Sequence, residues 1–161
     1  MHLNKLFAIA LIAGVASAQQ PAAAPKLYAS AADVAAMMAK AKAERKDQPN
    51  IVQSILSLAP IAANLEYRAS VGPAASHAKD AEMFYVIDGS GTLVTGGKIV
   101  NEKPQNADNS TGTGIEGGQS RKVAKGDFIM VPEGTPHWFS TIDSTLVLMS
   151  LHVPHPVPAA K

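Results

Sequence analysis

The spacing of apolar positions along the chain changes period once. Val34, Met37, Met38 and Ala41 recur three and four residues apart, which places them on one side of a helix. Ser30 with Asp33 three residues later supplies a start signal, and the charged stretch Lys42 to Asp47 supplies an end, so one helix is predicted within residues 30–50. Its methionine pair reads as a core-facing stripe with a packing role.

From Ile51 onwards the pattern shortens to alternating or brief apolar runs: Ile51 to Leu58, Ile61 to Ser70, Glu82 to Ile87, Thr92 to Thr95, Phe128 to Val131, Trp138 to Ile142 and Leu146 to Val153. Pro60, Gly72-Pro73, Asp88-Gly89, Gly96-Gly97, Gly126-Asp127 and Pro132 to Pro136 separate them. Short strands between turn signals predict a sandwich or barrel over residues 51–153, and no strand–helix alternation supports a parallel sheet. The expected class is all-β, a single antiparallel barrel with one N-terminal helix. Asn101 to Ser120 has only Ala107 and Ile115 as clear apolar residues and reads as a long inserted loop, mobile or a lid. Within it Gly112 to Gly117 spells G-x-G-x-x-G without the flanking strand and helix that a nucleotide loop needs, and Asn109-Ser110-Thr111 spells a glycosylation acceptor.

The two ends read differently. Lys5 precedes the apolar run Leu6 to Val15, and Ala16-Ser17-Ala18 offers small residues for a peptidase. The run is about half of the ~20 residues a spanning helix needs, so residues 1–18 are expected to be a signal peptide cleaved after Ala18. Residues 19–29 then form a flexible Ala/Pro leader and residues 154–161 a Pro-rich tail. A periplasmic or secreted protein is expected, with no membrane contact after cleavage.

At 161 residues, 47% hydrophobic and 17% charged, the chain suits one well-buried domain. Fourteen Lys and Arg face 13 Asp and Glu, and Lys5 leaves with the signal segment, so the mature chain is neutral and nucleic acid is not an expected partner. The absence of cysteine removes disulfides, thiolate metal sites and cysteine nucleophiles, leaving His and carboxylate as the strong metal ligands.

Two stretches carry candidate chemistry. Gly126 to His137 reads as a turn into a strand, a Pro/Gly turn and a returning strand that begins with His137, the whole forming a hairpin. Upstream, Glu82 to Gly89 gives E-x6-G, and His77 lies four intervening residues before Glu82. Each residue alone has a plainer reading, as a surface His, an exposed strand carboxylate or a hydrogen-bonded strand His. Strand side chains alternate, so a His on one strand, a Glu on its hairpin neighbour and a His facing them can converge inside a small barrel.

The first stretch resembles the second motif of the cupin superfamily, G-x5-P-x-G-x2-H-x3-N, and matches it through the His, with Thr141 in place of the final Asn. The upstream stretch resembles the first motif, G-x5-H-x-H-x3-4-E-x6-G, with His77 as its second His and Ala75 where its first His would stand. The resemblance runs from about Ala62 to Val153 and implies a jelly-roll barrel, often dimeric, so a homodimer is a possible assembly. It implies His77, Glu82 and His137 as ligands of a divalent ion, Fe, Mn, Zn or Ni, with water in place of the imidazole missing at Ala75. Phe84, Phe139 and Thr141 share strand parity with Glu82 or His137 and are expected to line the cavity, and Trp138 to pack outside. Lys79 and Asp80 are expected at a solvated turn, with Lys79 a candidate for holding an anionic substrate at the mouth, and His152 and His155 in the tail, His152 being the one of the two that could face the cavity. The implied function is an exported metal-binding cupin, in one reading a dioxygenase-like oxidoreductase acting on a small oxygenated molecule. The alternatives are a non-catalytic periplasmic protein that binds a small-molecule ligand, and a cupin-type isomerase or epimerase.

Overall fold

Helix α1 (Ala31–Glu44) starts where the sequence signals it: Asp33 N–H donates to Ser30 Oγ at 3.1 Å, and Ser30 N–H donates back to Asp33 Oδ2 at 2.8 Å. The computed structural model describes residues 24–154. The expected signal peptide, the first part of the leader and the tail from His155 lie outside the described residues.

Eleven strands follow among the described residues: β1 (Asn50–Leu58), β2 (Ile61–Arg68), β3 (Ala74–His77), β4 (Asp80–Thr95), β5 (Lys98–Val100), β6 (Lys103–Pro104), β7 (Asn109–Gly112), β8 (Gly114–Glu116), β9 (Gln119–Ala124), β10 (Phe128–Val131) and β11 (His137–Pro154). All paired strands are antiparallel, and the fold is the jelly-roll barrel expected for an all-β chain with one helix. Strand β11 is its spine. It pairs with β2 and β3 along one edge and with β4 along the other, while β4 carries β10 beside its first half and β9 beside its second.

Alternation assigns the two faces. On β4, Glu82, Phe84 and Val86 are buried, and Phe84 and Val86 meet Leu93, Val123, Val131, Phe139, Leu146 and Leu148 inside the barrel. The opposite face packs on α1: Ala41, Ile55, Leu65, Tyr67 and Val147 form a second cluster, joined by Val34, Met37 and Met38. The methionine pair thus packs between helix and sheet.

Four expectations need correction. The runs Glu82 to Ile87 and Thr92 to Thr95 are one strand, as are Trp138 to Ile142 and Leu146 to Val153. Gly89, at φ +81°, bends β4 instead of turning it, where β11 has its own irregularity between Ile142 and Leu146. Gly126 to His137 is not a hairpin: β10 pairs with β4, whereas His137 sits opposite Thr95 and Ala75. Nor do β3 and β4 pair; β3 lies between β11 and β7. Finally, Asn101 to Ser120 is not a loop or lid. It contributes β6, β7 and β8 and the start of β9, and β7 is bonded along the whole of β3. Its polar composition hid this because an edge ladder is held by backbone groups and needs no apolar side chains.

Candidate metal centre

Glu82 is the third residue of β4 and points inward with Phe84 and Val86, which buries its carboxylate to 4% exposure. A buried carboxylate needs partners. His77 ends β3 and His137 begins β11, and both aim Nε2 at the same oxygen, Glu82 Oε2, at 3.3 and 3.0 Å. His137 is buried; His77 is half-buried, its ring centroid 5.2 Å from that of His137.

A third imidazole joins them. His152 lies opposite Glu82 in the β4–β11 ladder, places Nε2 3.5 Å from Glu82 Oε1, and sets its ring edge-on to His77 at 4.5 Å. His77, Glu82 and His152 each offer a ligand atom within 4.8 Å of the others. His152 is therefore a strand residue facing Glu82 and not the expected tail residue. The reason is that β11 continues to Pro154, so Leu146, Leu148, Ser150 and His152 form one alternating inward series, of which the first three are buried. That series was the available sequence signal.

The far nitrogens are fixed as well. His77 Nδ1 is 2.6 Å from Asn109 Oδ1, and His137 Nδ1 is 3.2 Å from the Thr135 carbonyl oxygen. Both acceptors favour a proton on Nδ1, which turns the Nε2 lone pairs toward Glu82. His152 Nδ1 faces Asp80 Oδ2 at 3.8 Å.

Burial pushes the Glu82 carboxyl upward, but hydrogen bonding with His137 and His77 and the charges of His137 and His152 outweigh it and hold its pKa at about 2. Burial likewise presses His77 down, and its bonds to Glu82 and Asn109 with the charges of Glu82 and Asp80 carry it above the ordinary imidazole value. Those Glu82 bonds exist only while an Nε2 carries a proton. With both protons on Nδ1, Glu82 Oε2 is a buried oxygen without a hydrogen-bond partner.

Lone pairs crowded on an unpartnered buried oxygen are what a cation would resolve. Ligands sharing one ion at about 2.1 Å stand about 3.0–3.4 Å apart, near the three separations found between imidazole nitrogens and carboxylate oxygens. His77, Glu82 and His152 fit a divalent ion of the borderline kind that accepts imidazole and carboxylate, while His137, 3.0 Å from Glu82 Oε2, stands outside the group whose ligand atoms all lie within 4.8 Å of one another.

Phe84 and Phe139 stand beside the cluster, edge-to-face at 5.5 Å, with Phe84 6.0 Å from the His137 ring. Thr141 does not join them. Pairing with β4 slips between Phe139 and Thr141, which reverses the parity, so Thr141 is exposed and its Oγ1 lies 2.7 Å from Thr92 Oγ1. Trp138 packs outside, donating Nε1–H to the Gly72 carbonyl, and Lys79 pairs at the surface with Asp108 at 2.8 Å. Gly112 to Gly117 spans β7 and β8 and opens no helix.

A protein-family profile described as Cupin matches residues 42–157. No curated protein sequence matches the chain. Among solved structures, a hydroquinone 1,2-dioxygenase, PnpCD, in complex with Cd2+ and 4-hydroxybenzonitrile is similar at TM-score 0.53 and 13% identity, covering 71% of this chain and 71% of that one. A DMSP lyase, DddQ, from Ruegeria pomeroyi DSS-3 is similar at TM-score 0.52 and 16% identity, covering 85% of this chain and 70% of that one. The protein TT1209 of Thermus thermophilus is similar at TM-score 0.50 and 13% identity, covering 68% of this chain and 88% of that one. At these identities the likeness is one of fold.

Proposed function

The chain belongs to the cupin family, and on that footing we propose that it holds a divalent metal ion on His77, Glu82 and His152, with His137 drawn in from its place 3.0 Å from Glu82 Oε2 as the fourth ligand, and acts on a small oxygenated molecule. The observation that carries this reading is the convergence of three Nε2 atoms on the one buried carboxylate of Glu82, two on Oε2 and one on Oε1. Such an ion would supply Lewis acidity toward a substrate oxygen.

The chain's own residues set the conditions for that chemistry. Three neutral imidazoles and one carboxylate leave a divalent ion with net positive charge, which favours an anionic or electron-rich oxygen such as phenolate, enolate or carboxylate. The Phe84 and Phe139 rings keep water from one side, and the half-exposed edge of His152 marks the approach from solvent. A dioxygenase-like oxidation is the reading we favour, in a chain exported by residues 1–18. Phe128 and Met130, exposed on the outer face with Phe128 against Tyr85, support pairing of two chains.

Metal analysis of the purified full chain after reconstitution with Fe2+, Mn2+, Ni2+ or Zn2+ tests the reading. We expect one ion per chain, lost in His77→Ala and His137→Ala, and oxygen uptake with a phenolic or keto-acid substrate that disappears in the same variants. Folded wild-type protein that stays metal-free overturns the metal site, and a loaded protein that consumes no oxygen across the panel overturns the oxidation.

A further inference from the structure

The segment expected to be a loop reaches the metal centre through one side chain, Asn109. It opens β7 and sits directly opposite His77 in the β3–β7 ladder. A chain of hydrogen bonds with a fixed direction runs through it. Asp108 N–H, which can only donate, donates to Asn106 Oδ1 at 2.9 Å. The Asn106 oxygen is thereby fixed on that side, and Asn109 Nδ2 donates to the same oxygen at 2.9 Å. The other end of the Asn109 amide, Oδ1, is left to face His77 Nδ1 at 2.6 Å, and a carbonyl oxygen can only accept. His77 Nδ1 must therefore carry a proton.

From this polarity we infer that Asn109 is the positioning residue of His77, holding its ring as the Nδ1–H form so that Nε2 presents a lone pair beside Glu82 and His152. The inference rests on the metal reading for its purpose and on hydrogen bonding alone for its geometry. Without Asn109 the neutral ring is drawn the other way, because a proton on Nε2 would donate to Glu82 Oε2, 3.3 Å distant, and that proton would have to leave before a cation could bind. Two further contacts brace the segment around Asn109. Ala78 N–H donates to the Asp108 carbonyl at 2.7 Å, and Lys79 Nζ contacts the Asp108 carboxylate at 2.8 Å. The motif Asn109-Ser110-Thr111, which spells a glycosylation acceptor, thus has its amide nitrogen engaged by Asn106 at the surface.

Long-range 1H–15N spectra of the metal-free full chain, recorded well above the ordinary imidazole pKa of about 6.5, read the ring directly. His77 is expected as the Nδ1–H tautomer in the wild type and in Asn109→Asp, which keeps an acceptor, and as the Nε2–H tautomer in Asn109→Ala. Competition with a chromophoric chelator is expected to show Zn2+ affinity falling about 10–100-fold in Asn109→Ala and staying near wild type in Asn109→Asp. A wild-type His77 with its proton on Nε2 overturns the inference, even if Asn109→Ala fails to fold. An Asn109→Ala protein whose His77 tautomer is unchanged also overturns it. A wild type that shows the Nδ1–H ring yet takes up no Zn2+ supports the His77–Asn109 link while removing the metal reading.

Discussion

The least expected residue of the centre is His152, and it shows what spacing in a sequence can and cannot convey. His77, Glu82 and His137 could be picked out because each lies in a motif of fixed local spacing, and the barrel brings both imidazoles within 3.3 Å of Glu82. His152 belongs to no motif. It reaches Glu82 because the two face each other across a ladder whose residues lie 70 positions apart in sequence, a register that no local pattern records. Thr141 failed for the converse reason: one irregularity, between Phe139 and Thr141, reverses every parity argument beyond it. Ala75 shares its strand face with His77 and lies opposite His137, so an imidazole there would enter the same space. His152→Ala should lower Zn2+ affinity at least about tenfold, and adding Ala75→His should recover most of that loss, both measured by chelator competition. Wild-type affinity in His152→Ala would remove His152 from the ligand set, and a double variant no better than the single would place residue 75 outside the centre.

At the scale of elements, the helix and most strand positions were legible because period 3.6 and period 2 are local signals backed by a capping box and turn residues. Strand pairing was less so. Gly89 reads as a turn, yet a side chain there would place its Cβ 2.0 Å from the Thr145 carbonyl oxygen, so glycine permits close passage of β11 as much as chain reversal. Segment 101–120 was misread because its polar ladder forms an edge, and its link to the centre is the Asn109 amide. The sheet also separates two packed clusters, with Leu65 under α1 and with Phe84 and Phe139 inside the barrel beside the histidines. Leu65→Ala should cost about 2–5 kcal/mol in urea unfolding and leave Zn2+ affinity unchanged. An equal loss of metal affinity would mean that the helix-side cluster sets the geometry of the centre.

For the molecule as a whole, the fold brings both ends of its longest strand to one place. β11 begins with His137 and nearly ends with His152, and its partner β4 starts two residues before Glu82, so one bent pair of strands delivers three of the four side chains while β3 adds His77. The fourth is held by an edge that the inserted segment provides. Composition alone allowed for a barrel and for imidazole and carboxylate as ligands, whereas convergence depended on bulges and register. Anomalous diffraction from crystals of the full chain grown with Zn2+ measures that convergence directly. The expected result is a single peak about 2.0–2.2 Å from Nε2 of His77, His137 and His152 and from a Glu82 oxygen; a map with no peak there, or with any of these imidazoles turned away from it, would contradict the four-residue centre.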